Sequence, residues 1–245
     1  MTLAHGSTGN HFLDSLDVEN FNLLKPYATE VALERNAVVC QPGAEVDLVW
    51  FPVTATLSVV TFMTDGQDVE ACTVGRESAY GLLHALGSTV ALDRVICQIP
   101  GHAIRIAGSR VKAAAALSIG MTDLVVRHAQ ANAAQTQQSV ACNALHPVDA
   151  RLCRWLLMTQ DRTNNDRLPL TQEFLGFMLG VQRTTVSGAA RSLAQAGAIR
   201  YSRGSIEILN RKALKAGTCE CYGSVLDKYA QILGPETSNA DQPYA

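Results

Sequence analysis

Apolar residues recur at Phe12, Leu13, Leu16, Val18, Phe21 and Leu24. That spacing predicts one short amphipathic helix over 11–28, stopped by Pro26. From residue 31 to residue 107 the pattern changes to short runs rich in β-branched side chains. Val38 and Val39 end at Gln41-Pro42-Gly43, and the run from Leu48 to Met63 ends at Asp65-Gly66, a strong hairpin cue. Val69 to Val74 and Val95 to Ile99 continue in the same style. Short strands punctuated by glycine predict a β-roll or barrel. The stretch Leu48 to Thr64 alternates and contains Pro52, so it reads as strands and not as a membrane span.

Between residues 109 and 142 glycine gives way to alanine, which predicts one long helix with an irregular start near Gly120. A four-three row runs through Leu117, Met121, Leu124, His128, Ala131, Gln135, Gln138 and Cys142. Such a row is either an intramolecular packing stripe or a dimer seam. Leu117, Met121, Leu124 and His128 are the candidate interface residues. Asn143 to Pro147 interrupts the helix, and Pro147 suits the first turn of a new one. That next helix turns Leu152, Trp155, Leu156 and Met158 to a core and ends at Asn164-Asn165-Asp166.

The stretch Gln172 to Arg191 has the requirements of a helix-turn-helix. With Gln172 as position one, position five must be small where two helices cross, and it is Gly176. Position nine needs a positive φ and is Gly180. The positions that join the helices are Leu175, Leu179, Val181 and Val186, all apolar. Thr171 is placed to cap the first helix. The second helix then exposes Gln182, Arg183, Thr184, Thr185 and Ser187 at its start, where a major-groove helix meets base edges. Beyond it, Ile199 and Tyr201, then Ser202-Arg203-Gly204-Ser205, then Ile206 and Ile208 read as a two-stranded wing. Arg200 and Arg203 are its candidate phosphate contacts. Thr171, Gln172, Gln182, Arg183, Thr184, Thr185, Ser187, Arg200 and Arg203 are the candidate DNA-binding set.

Charge favours that reading. Residues 147–216 carry eleven Lys/Arg against five Asp/Glu, inside a chain of net charge −2. A basic segment in an acidic chain favours a polyanionic partner. The seven cysteines are odd in number and scattered, which suits reduced thiols in a cytoplasmic protein. Cys219-Glu220-Cys221 is a pair without a second pair on a C-terminal tail, so no metal site is expected there; two thiols open to oxidation are the other reading. The histidines His5, His11, His84, His102, His128 and His146 show no ligand spacing. An enzyme is not expected, because no nucleophile–base pair, phosphate loop or HExxH pattern is present.

In this order, the β region, long helix, hinge and winged helix-turn-helix resemble the Crp–Fnr family of bacterial transcription regulators over roughly residues 20–215. The resemblance implies an α+β chain in four parts. These are a cyclic-nucleotide-binding-like jelly-roll sensor at 11–108, a dimerisation helix at 109–142, a winged helix-turn-helix domain at 147–216 and a tail at 217–245. It also implies a homodimer on a palindromic promoter site, with double-stranded DNA and RNA polymerase as partners and no membrane. Arg183 matches the family's recognition-helix arginine. Thr184 and Gly188 replace a glutamate and a later arginine, so the operator should differ from familiar sites. In the sensor, Gly81 is followed by Leu82 and Leu83, not by the glutamate of cyclic-AMP-binding members. Arg94 is followed by Val95 and not serine. Cyclic AMP is therefore not expected, nor is a haem, nor an iron–sulfur cluster, since the first cysteine is Cys40. Gly75, Arg76, Glu77, Gly81 and Arg94 stand as an effector pocket or as a turn and a surface salt bridge. The alternative function is a cyclic-nucleotide-binding-like module regulating a protein partner, which would need no helix-turn-helix.

Overall fold

A computed structural model describes residues 3–63, 68–202 and 204–234. The expected N-terminal helix divides in two, α1 (His11–Asp14) and α2 (Val18–Leu24), followed by a 3-10 turn at Lys25–Tyr27. Asp17 causes the division: its carboxylate accepts from Asn20 N at 2.7 Å and caps a fresh helix. Phe12, Leu13, Leu16, Phe21 and Leu24 are buried as the periodicity required, whereas Val18, at the first position of α2, is exposed.

Two antiparallel sheets follow. One has the order β1 (Thr29–Leu33), β7 (Gly101–Ala107), β3 (Leu48–Pro52). The other has the order β2 (Val38–Cys40), β6 (Arg94–Ile99), β4 (Thr56–Phe62), β5 (Asp68–Val74). Trp50 and Tyr80 exchange backbone hydrogen bonds of 2.8 and 2.9 Å, and the short helix α3 (Leu82–Leu86) covers the roll. The turn expected at Gln41-Pro42-Gly43 forms, with Gly43 at φ +79°. The Asp65-Gly66 cue lies outside the described residues.

The single long helix expected over 109–142 is two helices, α4 (Gly108–Leu117) and α5 (Ile119–Leu145). The break is at Ser118, close to the irregularity anticipated near Gly120. Ser118 is extended, and its hydroxyl accepts from Met121 N at 3.2 Å, so it ends one helix and caps the next. The expected dimer seam is corrected as well. Met121, Leu124 and His128 are buried inside the chain, packed with Phe12, Phe51 and Ile104; of the four, Leu117 alone is exposed. Burial pushes the His128 imidazole down to about 3, with Arg127 and His11 adding repulsion. His128 is a neutral core residue against Phe12 and the Ser78 hydroxyl.

After the hinge come α6 (Val148–Thr163), β8 (Arg167–Leu168), α7 (Gln172–Leu179), α8 (Arg183–Gln195), β9 (Ile199–Ser202), β10 (Ser205–Ile208) and α9 (Arg211–Gly217). Leu152, Leu156, Leu157, Leu175 and Val186 form their core, and Val60, Ile96 and Ile99 of the β-roll belong to the same cluster. The two regions are therefore packed together. The reading of 217–245 as a tail is corrected for its described part, residues 217–234, since α10 (Cys221–Leu233) folds back onto α5. Tyr229 donates to Asn132 and Lys228 to Gln138, each at 2.8 Å, and Cys219 and Cys221 are buried. Among the described residues no helix is long and apolar enough to cross a membrane.

Candidate nucleic-acid interface

The α7–turn–α8 unit is fixed by backbone geometry. Thr171 caps α7 by accepting from Phe174 N at 3.1 Å. At Gly176 a Cβ would stand 2.9 Å from the Val181 carbonyl oxygen, so any side chain would force the turn away from α7. Gly180 adopts φ +60°, the left-handed conformation that lets the chain reverse. Leu175, Leu179 and Val186 are buried and Val181 is half-buried, which locks the two helices. Arg151 of α6 donates to the Leu179 carbonyl and ties the unit to the rest of the domain.

This packing leaves one face of α8 uncovered. Gln182, which precedes α8, and Arg183, Thr184 and Thr185 of its first turn are exposed. Ser187 is half-buried and donates to Gln172 at 2.7 Å, so these two side chains brace the helices. At Gly188 a Cβ would meet nothing within 4 Å, so the face stays shallow there. The hairpin of β9 and β10 pairs Ser202 with Ser205 and Ile199 with Ile208. Arg200 on it forms an exposed 2.7 Å ion pair with Glu207. Arg203 lies outside the described residues.

Residues 150–216 match the family model of the Crp-like helix-turn-helix domain. The chain carries a Crp-like helix-turn-helix domain. The whole fold is similar to that of several solved structures. FixK2 from Bradyrhizobium japonicum superposes with a TM-score of 0.67 at 17% identity, over 78% of this chain and 98% of that one. A putative transcriptional regulator of the Crp/Fnr family from Eubacterium rectale gives 0.65 at 14%, over 83% and 95%. The c-di-GMP responsive global regulator CLP from Xanthomonas campestris gives 0.64 at 11%, over 78% and 99%. No curated protein matches the chain. The β-roll, long helix and winged helix-turn-helix thus make the Crp/Fnr fold.

In this Crp-like domain the positive charge read from the sequence divides. Arg151, Arg154, Arg162 and Arg211 are engaged inside the protein, with Leu179 O, Ser139, Glu77 and Asp161 respectively. Arg167, Arg183 and Arg191 are exposed. Arg191 was not singled out from the sequence. The signal was available, since Thr184, Ser187, Gly188 and Arg191 follow helical spacing along one face.

Of the five sensor residues, Gly75, Arg76 and Glu77 fall together in the turn after β5, where Gly75 N donates to Glu77 Oε1 at 3.1 Å. Glu77 accepts from Arg162 Nε at 2.7 Å in a pair that is 13% and 8% exposed, so it is a buried link to α6 and not a surface salt bridge. A Cβ at Gly75 would strike the same Arg162 side chain at 2.6 Å. Gly81, at φ +95°, starts α3 with its Cα face against the Leu48 carbonyl. Arg94 lies over the Phe62 ring at 5.6 Å, and Arg76 is half-buried, its carbonyl accepting from His11 N. Glu70 is half-buried between the two regions. It accepts from Ser58 at 2.6 Å and from Trp155 Nε1 at 3.0 Å, and desolvation raises its pKa in spite of both bonds.

Proposed function

We propose that this protein is a sequence-specific regulator of transcription that binds double-stranded DNA as a homodimer. The observation that carries the reading is the exposed start of α8, where Gln182, Arg183, Thr184 and Thr185 project from a helix held rigid by the Gly176 crossing and the Gly180 turn. A rigid helix with a shallow polar face fits the major groove. Arg183 would pair with guanine O6 and N7, and Gln182 or the threonines would read its neighbours. Thr171, Gln172 and Ser187 position the helix pair, while Arg191 and the wing arginines Arg200 and Arg203 would meet phosphates.

The second copy would dock on the outer face of α5. Ile119, Asp123, Val126, Gln130, Ala133, Gln137, Val140 and Ala144 are all exposed and follow one another at four-three spacing. Ile119, Val126, Ala133 and Val140 recur every seven residues, the spacing of one coiled-coil seam position, while the alternate positions hold Asp123, Gln130, Gln137 and Ala144. Two recognition helices would then meet half-sites about one turn of DNA apart, roughly 34 Å.

The test is a titration of wild type and Arg183→Ala against selected and scrambled duplexes at several salt concentrations. Loss of about 1–3 kcal/mol on the selected duplex alone, with a relaxed preference at one base pair, supports the reading. An equal loss on both duplexes would reduce Arg183 to a phosphate anchor. Wild type that distinguishes no duplex from random DNA would overturn sequence-specific binding altogether.

A further inference from the structure

The end of α5 and the start of α10 bring together four side chains that the sequence holds far apart. Cys142 lies in the last turn of α5, His146 follows that helix, and Cys219 and Cys221 begin the return through α10. The sulfurs of Cys142 and Cys219 are 3.5 Å apart, and Cys221 Sγ is 3.5 Å from His146 Nδ1. All four donor atoms lie within 4.8 Å of one another. A tetrahedral zinc ion with bonds of about 2.3 Å to sulfur and about 2.0–2.1 Å to nitrogen has donor–donor edges of roughly 3.4–3.8 Å. The donors therefore already stand near the corners that such an ion needs.

Buried cysteines are often no more than small apolar residues. The surroundings here are different. His146 offers Nδ1 to the cluster while its Nε2 faces Glu220 Oε2 at 3.3 Å, the carboxylate–imidazole pairing that orients a metal-bound histidine. Gln138 Nε2 donates to Cys221 Sγ at 3.1 Å, so this sulfur is held in place by a polar partner. The guanidinium of Arg154 bonds the Ser139 hydroxyl at 2.8 Å, one helical turn before Cys142.

We propose that Cys142, His146, Cys219 and Cys221 form a binding site for a thiophilic divalent cation, Zn²⁺. Three thiolates and one imidazole are soft donors, and four protein ligands leave no open coordination position, so the site is structural and not catalytic. Its position gives it a task. Two ligands precede the DNA-binding domain in the chain and two follow it, so one ion would staple both ends of that domain to the long helix. Metal release would free α10 and the hinge at 143–147 together.

The experiment uses the full chain, purified under anaerobic reducing conditions, and needs no DNA, so its outcome is independent of the reading of α8. Zn²⁺ is titrated against a chromophoric chelator, and Co²⁺ replaces it for absorption spectroscopy. One tightly held ion per chain, a sulfur-to-cobalt charge-transfer band and intense tetrahedral d–d bands are expected. Cys142→Ser and Cys219→Ser should lose the stoichiometric ion, whereas Cys40→Ala, outside the cluster, should keep it. Glu220→Gln leaves all four ligands in place and should weaken the ion about 10-fold, which keeps the test open if a cysteine variant does not fold. Zn²⁺ should also raise the melting temperature of wild type and not of Cys219→Ser. The proposal is overturned by absence of metal binding, by a cobalt complex without thiolate bands, by an iron–sulfur chromophore in place of zinc, or by a Cys142–Cys219 disulfide that persists in reductant.

Discussion

Replacing Glu77 by glutamine should loosen the Crp-like domain from the β-roll far more than one lost ion pair on a surface would. Arg162 of α6 reaches Glu77 at 2.7 Å, and its remaining nitrogens bond Gln135 Oε1 at 2.7 Å and Met158 O at 3.4 Å. The pair is almost wholly shielded from water. Removing one partner of such a pair leaves a buried guanidinium without its counter-charge, a change worth about 3–5 kcal/mol. Two details place Glu77→Gln at the lower end. The amide oxygen can still accept a neutral hydrogen bond, and Glu77 Oε2 has no hydrogen-bond partner even in wild type. A loss of about 3 kcal/mol is expected. The control has the same length and a different environment: Arg200–Glu207 is also 2.7 Å, but its side chains are 64% and 42% exposed. Glu207→Gln should cost no more than about 1 kcal/mol. Denaturant unfolding followed by tryptophan fluorescence is the assay, because Trp155 is bonded to Glu70 in the joint itself. Equal midpoint shifts for the two variants would refute the argument that burial, and not distance, sets the strength of this link.

Val126→Arg places two like charges face to face if α5 pairs with its copy, so light scattering should report monomers with unchanged far-UV circular dichroism; a variant that stays dimeric would exclude this seam. Leu124→Arg should instead unfold the β-roll, because Leu124 is buried against it. His128 should add an acid-labile component to stability. Its folded pKa is depressed to about 3 from an ordinary 6.5, so the neutral ring stabilises fully above pH 6.5. That contribution declines as pH falls towards 3, and at its limit amounts to about 5 kcal/mol. His128→Gln should flatten this part of the stability–pH profile, and an unchanged slope would refute the assignment.

The helix-turn-helix was legible because each of its constraints is local. Gly176, Gly180 and the apolar Leu175, Leu179, Val181 and Val186 sit within a single stretch, and backbone sterics demand small or flexible residues at two of them. The strand-rich half was legible as a class for the same reason. Glu77 was not: a carboxylate after a strand has the same sequence appearance whether its partner is water or an arginine 85 positions away. The four-residue cluster at Cys142 was invisible on similar grounds, since Cys219 lies 77 residues along the chain and meets Cys142 only because α10 folds back.

The long helix shows a subtler limit. A helix with two useful stripes has two four-three rows, and periodicity identifies rows without saying which one faces the chain's own core. The inward row of α5 holds Met121 and Leu124 but also His128, Gln135 and Ser139, all buried. The outward row holds Ile119, Val126 and Val140 beside Asp123, Gln130 and Gln137. Mean hydropathy barely separates such rows. What decides is satisfaction of the polar members: Gln135 donates to Thr73 O at 2.9 Å and accepts from Arg162, and His128 finds Ser78. Those partners come from β5, from the loop after it and from α6, so the inward row is chosen by tertiary hydrogen bonds that no window along α5 contains. The outward row keeps one exposed apolar residue in each heptad, Ile119, Val126, Ala133 and Val140, and finds no such partners among the described residues of α5's own neighbours; on the proposed reading it is the row a second copy would cover.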